Sequence, residues 1–251
     1  PTSTEELENL LAVIRADFDV DFEPMQVDEN PLQILSIHNM QSHLDKLLQK
    51  RAIRDPLKDL PLWAKVWPGS FVLGRLLRKY EPQGKSLLEL GAGCGALSLV
   101  AARYGFARVV LSDVVEQALR FARANVLRNG LGDQIEVTHV DVTAPGRDPR
   151  FASGFDIIAA SEILYLDDLH RPLVKFVDRH LAPGPLGGST DCRGTVDMVL
   201  RLAVAEVEAH HIDASADHGL QQRRVARCGA QGGNNLVARR VDMGVPLSLN
   251  V

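Results

Sequence analysis

Glycine recurs at Gly91, Gly93 and Gly95 in the stretch LLELGAGCGAL, directly after an apolar run, and an acid, Asp113, stands 22 positions beyond the first of them. Glycine tolerates positive φ and lets a ligand approach bare backbone. A carboxylate at a strand end can accept both hydroxyl hydrogens of a ribose. A glycine turn and a strand-end acid together suit an adenosine cofactor. Two cofactor classes share that layout, and GAGCGA satisfies the dinucleotide fingerprint through Gly91, Gly93 and Ala96. Glu89, two residues before the first glycine, weighs against a dinucleotide, because a carboxylate beside two phosphates is repulsive. An acid there suits a cationic amino-acid head group better.

These residues need a scaffold that turns a strand into a helix at the binding edge. From Ser86 onward, short β-rich runs alternate with amphipathic helices, the signature of a parallel sheet covered on both faces. Strands are expected at Ser86 to Leu90, Arg108 to Ser112, Ile135 to Val140 and Phe155 to Ala160. Between them, Val115, Ala118, Leu119, Ala122 and Val126 share one helical face, as do Leu169, Leu173, Phe176, Val177 and Leu181. The fold class is therefore α/β, a Rossmann-like, doubly wound, mostly parallel sheet, and ligands bind such sheets at the carboxyl ends of the strands.

The string ELGAGCG resembles motif I of the class I, seven-β-strand, S-adenosylmethionine-dependent methyltransferases, over a region from about Leu60 to Gly184. The resemblance implies S-adenosyl-L-methionine as cofactor. It implies binding roles for Glu89, Gly91, Gly93 and Gly95, and a ribose-binding role for Asp113. Asp141, in VTHVDVT, matches the family position whose acid, with the Val142 backbone, holds the adenine amino group. The segment FDIIAASEILYLDD brings Ser161 to the cofactor, and Glu162-Ile163-Leu164-Tyr165 is similar to the Asp/Glu-x-x-Tyr motif of the protein-lysine methyltransferases. In that group Glu162 would orient the acceptor amine and Tyr165 would lend a hydroxyl and a ring face. The upstream LWAKVWPGSFVLGRLL also resembles the group, with Trp67 leading into a helix that Pro68 suits at its first turn. Val72, Leu73, Leu76, Leu77 and Tyr80 would form the buried face of that helix.

Several of these residues have a second reading. Trp67 is either a wall of the cofactor pocket or a core aromatic at a helix entry. Glu162 is also compatible with a solvated strand-end acid, and Tyr165 with simple packing. Asn125 and Asn129, in a stretch similar to the same segment of ribosomal-protein and lysine methyltransferases, could equally cap backbone. Cys94 suits a small filler better than a nucleophile. His210, His211 and His218 lack zinc spacing and read as surface or strand histidines.

The chain has 251 residues, 45% hydrophobic and 24% charged, with 28 Lys+Arg against 32 Asp+Glu and a formal charge of -4. That balance provides no basic field for phosphate backbones, so nucleic acid is an unsupported partner. The three cysteines are dispersed without a Cys-x-x-Cys pair, which fits a reducing, cytoplasmic setting. No apolar run approaches membrane-spanning length.

Residues 1–59 read as an N-terminal helical extension and residues 60–251 as the methyltransferase domain. In the extension, Ser3 and Glu6 form a capping-box pattern ahead of Leu7, Leu10, Leu11 and Ile14. A second helix is expected from Pro31 to about Arg51, with Ile34, Ile37, Leu44 and Leu48 on one face. The acidic DVDFEPMQVDENP between them reads as a solvated link. Beyond RHLAPG the sequence departs from the family. PLGGSTDCRG offers little for a fifth strand, and later segments supply at most a helix and a sixth and seventh strand.

The favoured function is methylation of a protein lysine. A nicotinamide-dependent oxidoreductase and a non-catalytic adenosyl-binding or partner-binding module are the alternatives.

Overall fold

The computed structural model describes residues 2–49, 60–144, 148–161, 163 and 169–182. Helix α1 (Ser3–Asp17) leads into a hairpin of β1 (Val20–Val27) and β2 (Asn30–Ile37), then α2 (Met40–Gln49). Helix α3 (Pro68–Leu77) precedes the sheet strands β3 (Ser86–Leu90), β4 (Arg108–Asp113), β5 (Ile135–His139) and β6 (Ile157–Ala160). Helix α4 (Ala96–Arg103) joins β3 to β4, α5 (Glu116–Arg128) joins β4 to β5, and α6 (His170–His180) follows β6. The four sheet strands are parallel in the order β5-β4-β3-β6. Strand order reverses between β3 and β6, so the binding crevice of a doubly wound sheet opens at their carboxyl ends.

The pleat divides the core. Leu87, Val109, Leu111, Ile157 and Ala159 face α3, α4, α5 and the hairpin in one cluster. Leu88, Leu90, Val110, Ile158 and Ala160 pack on the other face with Phe151, Phe155, Leu173, Phe176 and Val177. Successive strand residues point to opposite faces, and burial on both is why these strands read as continuous apolar runs.

The four sheet strands lie where the sequence pattern puts them, with ends shifted by a residue or two. Phe155 sits outside β6 and forms a single bridge to Leu181. In α5 the expected stripe of Ala118, Leu119, Ala122 and Val126 is buried, but so are Phe121, Ala124 and Asn125. The helix is covered on a second side. On α3, Leu73 and Leu77 are fully buried, whereas Val72 is 39% exposed, and Gly69 and Gly74 occupy the buried face instead.

The N-terminal segment departs from its helical expectation. Pro31 to Ile37 is strand, paired antiparallel with Val20 to Val27, and helix begins only at Met40. The acidic link is therefore β1, its turn and the first residues of β2. Strand β2 was hidden because it is apolar on both sides: Leu32 and Ile34 join the sheet-side cluster, while Leu35 and Ile37 join a third cluster with Ile14, Val20, Phe121 and Ala124. Apolar residues at 32, 34, 35 and 37 fit a helical period as well as a two-faced strand. The α1 capping box sits one residue earlier than expected, with Glu5 N donating to Thr2 Oγ1 at 3.3 Å and Thr2 N to Glu5 Oε2 at 2.8 Å.

This segment packs directly on the sheet domain. Arg123 of α5 reaches Glu6 of α1 at 2.7 Å, and Phe18, Trp63 and Phe121 meet edge to face. No helix of the described residues is long and apolar enough to cross a membrane. The fifth to seventh strands expected from the sequence, and His210, His211 and His218, lie outside the described residues.

Candidate active site

The crevice is built from the ends of β3, β4, β5 and β6. The turn after β3 runs through three glycines at positive φ: Gly91 at 63°, Gly93 at 55° and Gly95 at 82°. Their lack of side chains serves close packing as well as conformation. A Cβ on Gly93 would lie 2.6 Å from the Trp63 carbonyl oxygen, and one on Gly91 would lie 2.5 Å from the Ile163 side chain. Gly95 caps α4 in the left-handed region. Trp63 was not singled out in the sequence, although it lies in the same Trp-containing segment as Trp67; its backbone carbonyl, rather than its ring, bears on the loop.

Asp113 ends β4 with 6% of its surface exposed. Its Oδ2 accepts from Gly93 N at 2.8 Å and its Oδ1 from Val115 N at 2.9 Å. Burial pushes its carboxyl above the usual range, and the backbone N–H groups of Val115, Gly93 and Val114 oppose that shift. A buried carboxylate in this position is stabilised by further hydroxyl donors. The pattern of one acid holding the glycine loop links two of the sequence-predicted residues directly.

Glu89 is 1% exposed in β3. Its Oε2 accepts from Ser98 N at 2.9 Å and from the Ser98 hydroxyl, on the first turns of α4. The acid expected near a cationic head group thus supports the helix behind the glycine loop. Desolvation raises its pKa to about 7, against the lowering effect of Ser98. Because the folded value lies above the ordinary 4.5, the fold binds this proton more tightly than the unfolded chain. The stability this residue contributes is then fully present at acid pH and is lost as pH rises from about 4.5 through about 7. Glu89→Gln keeps an oxygen for Ser98 and carries no charge. It is expected to gain on the order of 3 kcal/mol at most over the parent at pH 8, and much less at pH 5. Urea unfolding at the two pH values measures this.

The other expected residues fall around the same edge. Asp141 follows β5, and its Oδ1 accepts from Thr143 N at 2.8 Å and Thr143 Oγ1 at 2.6 Å, which hold its carboxyl below the usual range. Val142 packs against the cluster under β6. Ser161 follows β6, and its Oγ is the buried side-chain polar atom without a partner among the described residues. A buried hydroxyl left unpaired in a crevice mouth fits a group that would bind there. Trp67 is half-buried at the N-cap of α3, where its Nε1 donates to Leu62 O at 3.0 Å and Lys65 Nζ lies 4.7 Å from its ring centroid. Pro68 takes the first turn of α3, as expected. Cys94 is buried within the loop, and desolvation raises its thiol to about 12, so it stays protonated. Glu162 and Tyr165 lie outside the described residues.

A mostly parallel α/β sheet with a glycine loop and a buried acid at its carboxyl edge is the architecture of class I methyltransferases. The family model described as lysine methyltransferase matches residues 52–185, and the chain belongs to that family. It is 33% identical over 171 residues to the protein N-lysine methyltransferase METTL21A of Danio rerio, covering 66% of this chain and 77% of that protein. It is 33% identical over 127 residues to the electron transfer flavoprotein beta subunit lysine methyltransferase of Rattus norvegicus. That match covers 49% of this chain and 47% of the relative, so the chain spans only about half of the latter's length. Among solved structures, it resembles an S-adenosylmethionine-dependent methyltransferase from Mesorhizobium loti at 26% identity, over 46% of this chain and 50% of that one, with a TM-score of 0.38.

Proposed function

We propose that the protein transfers a methyl group from S-adenosyl-L-methionine to the side-chain amine of a protein lysine. The observation that carries this reading is the joining of Asp113 to Gly93 at the carboxyl ends of β4 and β3, in a chain of the lysine methyltransferase family. When bound, the cofactor supplies an electrophilic methyl carbon on a sulfonium. Asp113 would hold the ribose hydroxyls, and Asp141 with the Val142 backbone would receive the adenine amino group. Gly91, Gly93 and Gly95 would border the amino-acid portion, with Glu89 behind them. The Ser161 hydroxyl, without a partner among the described residues, and Trp67 would complete the walls.

An in-line displacement needs no protein nucleophile. The protein must desolvate the amine and align its lone pair with the methyl carbon. A lysine ammonium has no lone pair and must first lose its proton. Glu162 would orient the amine and Tyr165 would lend its hydroxyl and ring face, a role consistent with proton handling by a positioned carboxylate. The dispersed cysteines suit a reducing compartment such as the cytoplasm, and the acidic balance favours a protein acceptor over nucleic acid.

Incubation with radiolabelled cofactor and a methyltransferase-deficient lysate tests the acceptor class. The expected label is lost on protease treatment and survives nuclease. Nuclease-sensitive label would refute the lysine reading while leaving the methyltransferase chemistry intact.

A further inference from the structure

Asn125 lies in the middle of α5 with none of its surface exposed. Its amide bonds in two directions: Oδ1 accepts from Leu35 N of β2 at 2.7 Å, and Nδ2 donates to the carbonyl of Cys94 at 2.8 Å. Cys94 is the residue between Gly93 and Gly95, so one side chain joins the N-terminal hairpin to the glycine loop. One turn further along, Asn129 accepts from Gln33 N at 2.9 Å and donates to Gln33 O at 2.7 Å. The two asparagines are four residues apart on a helix, about 6 Å. Gln33 and Leu35 are two apart on a strand, about 6.8 Å. That near match lets α5 meet the edge of β2 that β1 leaves open.

Only Asn125 reaches onward to the loop. Among the described residues, the other hydrogen bonds donated by the loop's N–H groups are local to the sheet and the turn itself: Ala92 N to Ser112 O at 2.9 Å, Gly95 N to Ala92 O at 2.9 Å, and Gly93 N to Asp113 at 2.8 Å. Through Cys94 the loop also feels where β2 sits. We infer that Asn125 is a positioning residue for the cofactor loop, and that it makes the N-terminal hairpin part of the foundation of the binding site. The inference rests on the cofactor reading above.

Its test compares isosteric variants. Asn125→Asp keeps an acceptor for Leu35 N but loses the donor to Cys94 and sets a carboxylate oxygen against that carbonyl. Asn129→Asp makes the same exchange against Gln33, also loses its Nδ2 bond to the Asn125 carbonyl at 2.7 Å, and does not touch the loop, so it reports hairpin docking and the end of α5. Asn125→Asp is expected to weaken S-adenosylhomocysteine binding about ten- to a hundredfold by calorimetry, well below its unfolding temperature. Asn129→Asp should stay within about threefold of the parent. Amide hydrogen exchange of Gly93 and Gly95, measured without added ligand, should accelerate about tenfold or more in Asn125→Asp only.

Equal losses in both variants would reduce Asn125 to a docking residue and overturn the inference. Unchanged loop exchange in Asn125→Asp overturns it whether or not the parent binds cofactor. A parent that fails to bind S-adenosylhomocysteine, with the exchange difference present, overturns the cofactor reading and leaves the positioning role standing. Should Asn125→Asp not fold, Asn125→Ser, which introduces no charge, is read by the same two measurements.

Discussion

Gly93→Ala is expected to raise the dissociation constant for S-adenosylhomocysteine at least a hundredfold, about 2.7 kcal/mol. Two separate obstacles meet at this residue. Its φ of 55° lies in the left-handed region, which costs an L-residue roughly 1–2 kcal/mol. The added Cβ would also stand 2.6 Å from the Trp63 backbone oxygen, an atom with no rotamer to retreat into. Relief requires Gly93 to move, and Gly93 N is the donor to Asp113 Oδ2. The loop and the ribose acid would shift together.

Gly84→Ala is the control. Gly84 has a φ of 77° with nothing within 4 Å of its Cβ position, so it carries the conformational penalty without the collision. Gly84→Ala should lower stability and leave binding within about threefold. Calorimetry with far-UV circular dichroism separates the two effects. A Gly93→Ala protein that is folded and binds like the parent would remove this loop from the cofactor site.

The parts of this molecule that were readable in advance are those where one residue type answers to one constraint. Gly91, Gly93 and Gly95 each stand at positive φ, and the strand runs around them are apolar because both faces of the sheet are covered. Spacing could not indicate what fills the space the glycines leave. Trp63 and Ile163 come close to Gly93 and Gly91, and no local pattern links residues so far apart in the chain. Glu89 shows the same limit. Its proximity to the glycines suggested a head-group partner, and that alternation along β3 also turns it toward α4, where Ser98 bonds to its Oε2, followed only from the fold.

The hairpin was unreadable for a different reason. Strand β2 is clasped between two clusters, so its pattern lacks the alternation of a half-buried strand. A usable signal did exist in Asp28-Glu29-Asn30, a polar turn whose first residue takes a φ of 50°. That turn is tied down by Tyr104, whose hydroxyl donates to Asp28 Oδ2 at 2.7 Å. Asn125 and Asn129 could be seen as groups that bond to backbone. That the backbone belonged to a strand some 90 residues away followed only from the fold.

Glu162→Ala is expected to reduce turnover about ten- to a thousandfold, the range for removing a positioned acid or base, while leaving cofactor affinity almost unchanged. Its chain neighbours support the role: the Ser161 hydroxyl is buried and has no partner among the described residues, and the Ile163 side chain packs at Gly91. The segment after β6 therefore meets the cofactor loop at Ile163, the residue after Glu162 in sequence. Asp113→Ala should fail in the opposite way. It removes a charge-assisted contact worth about 1.5–3 kcal/mol, which raises the cofactor dissociation constant roughly ten- to a hundredfold. Turnover at saturating cofactor should then recover substantially, because the amine-facing group is intact. Measuring turnover and cofactor affinity on both variants distinguishes the two roles. Loss of cofactor binding in Glu162→Ala as severe as in Asp113→Ala would assign Glu162 to the cofactor pocket and end its proposed role in orienting the lysine amine.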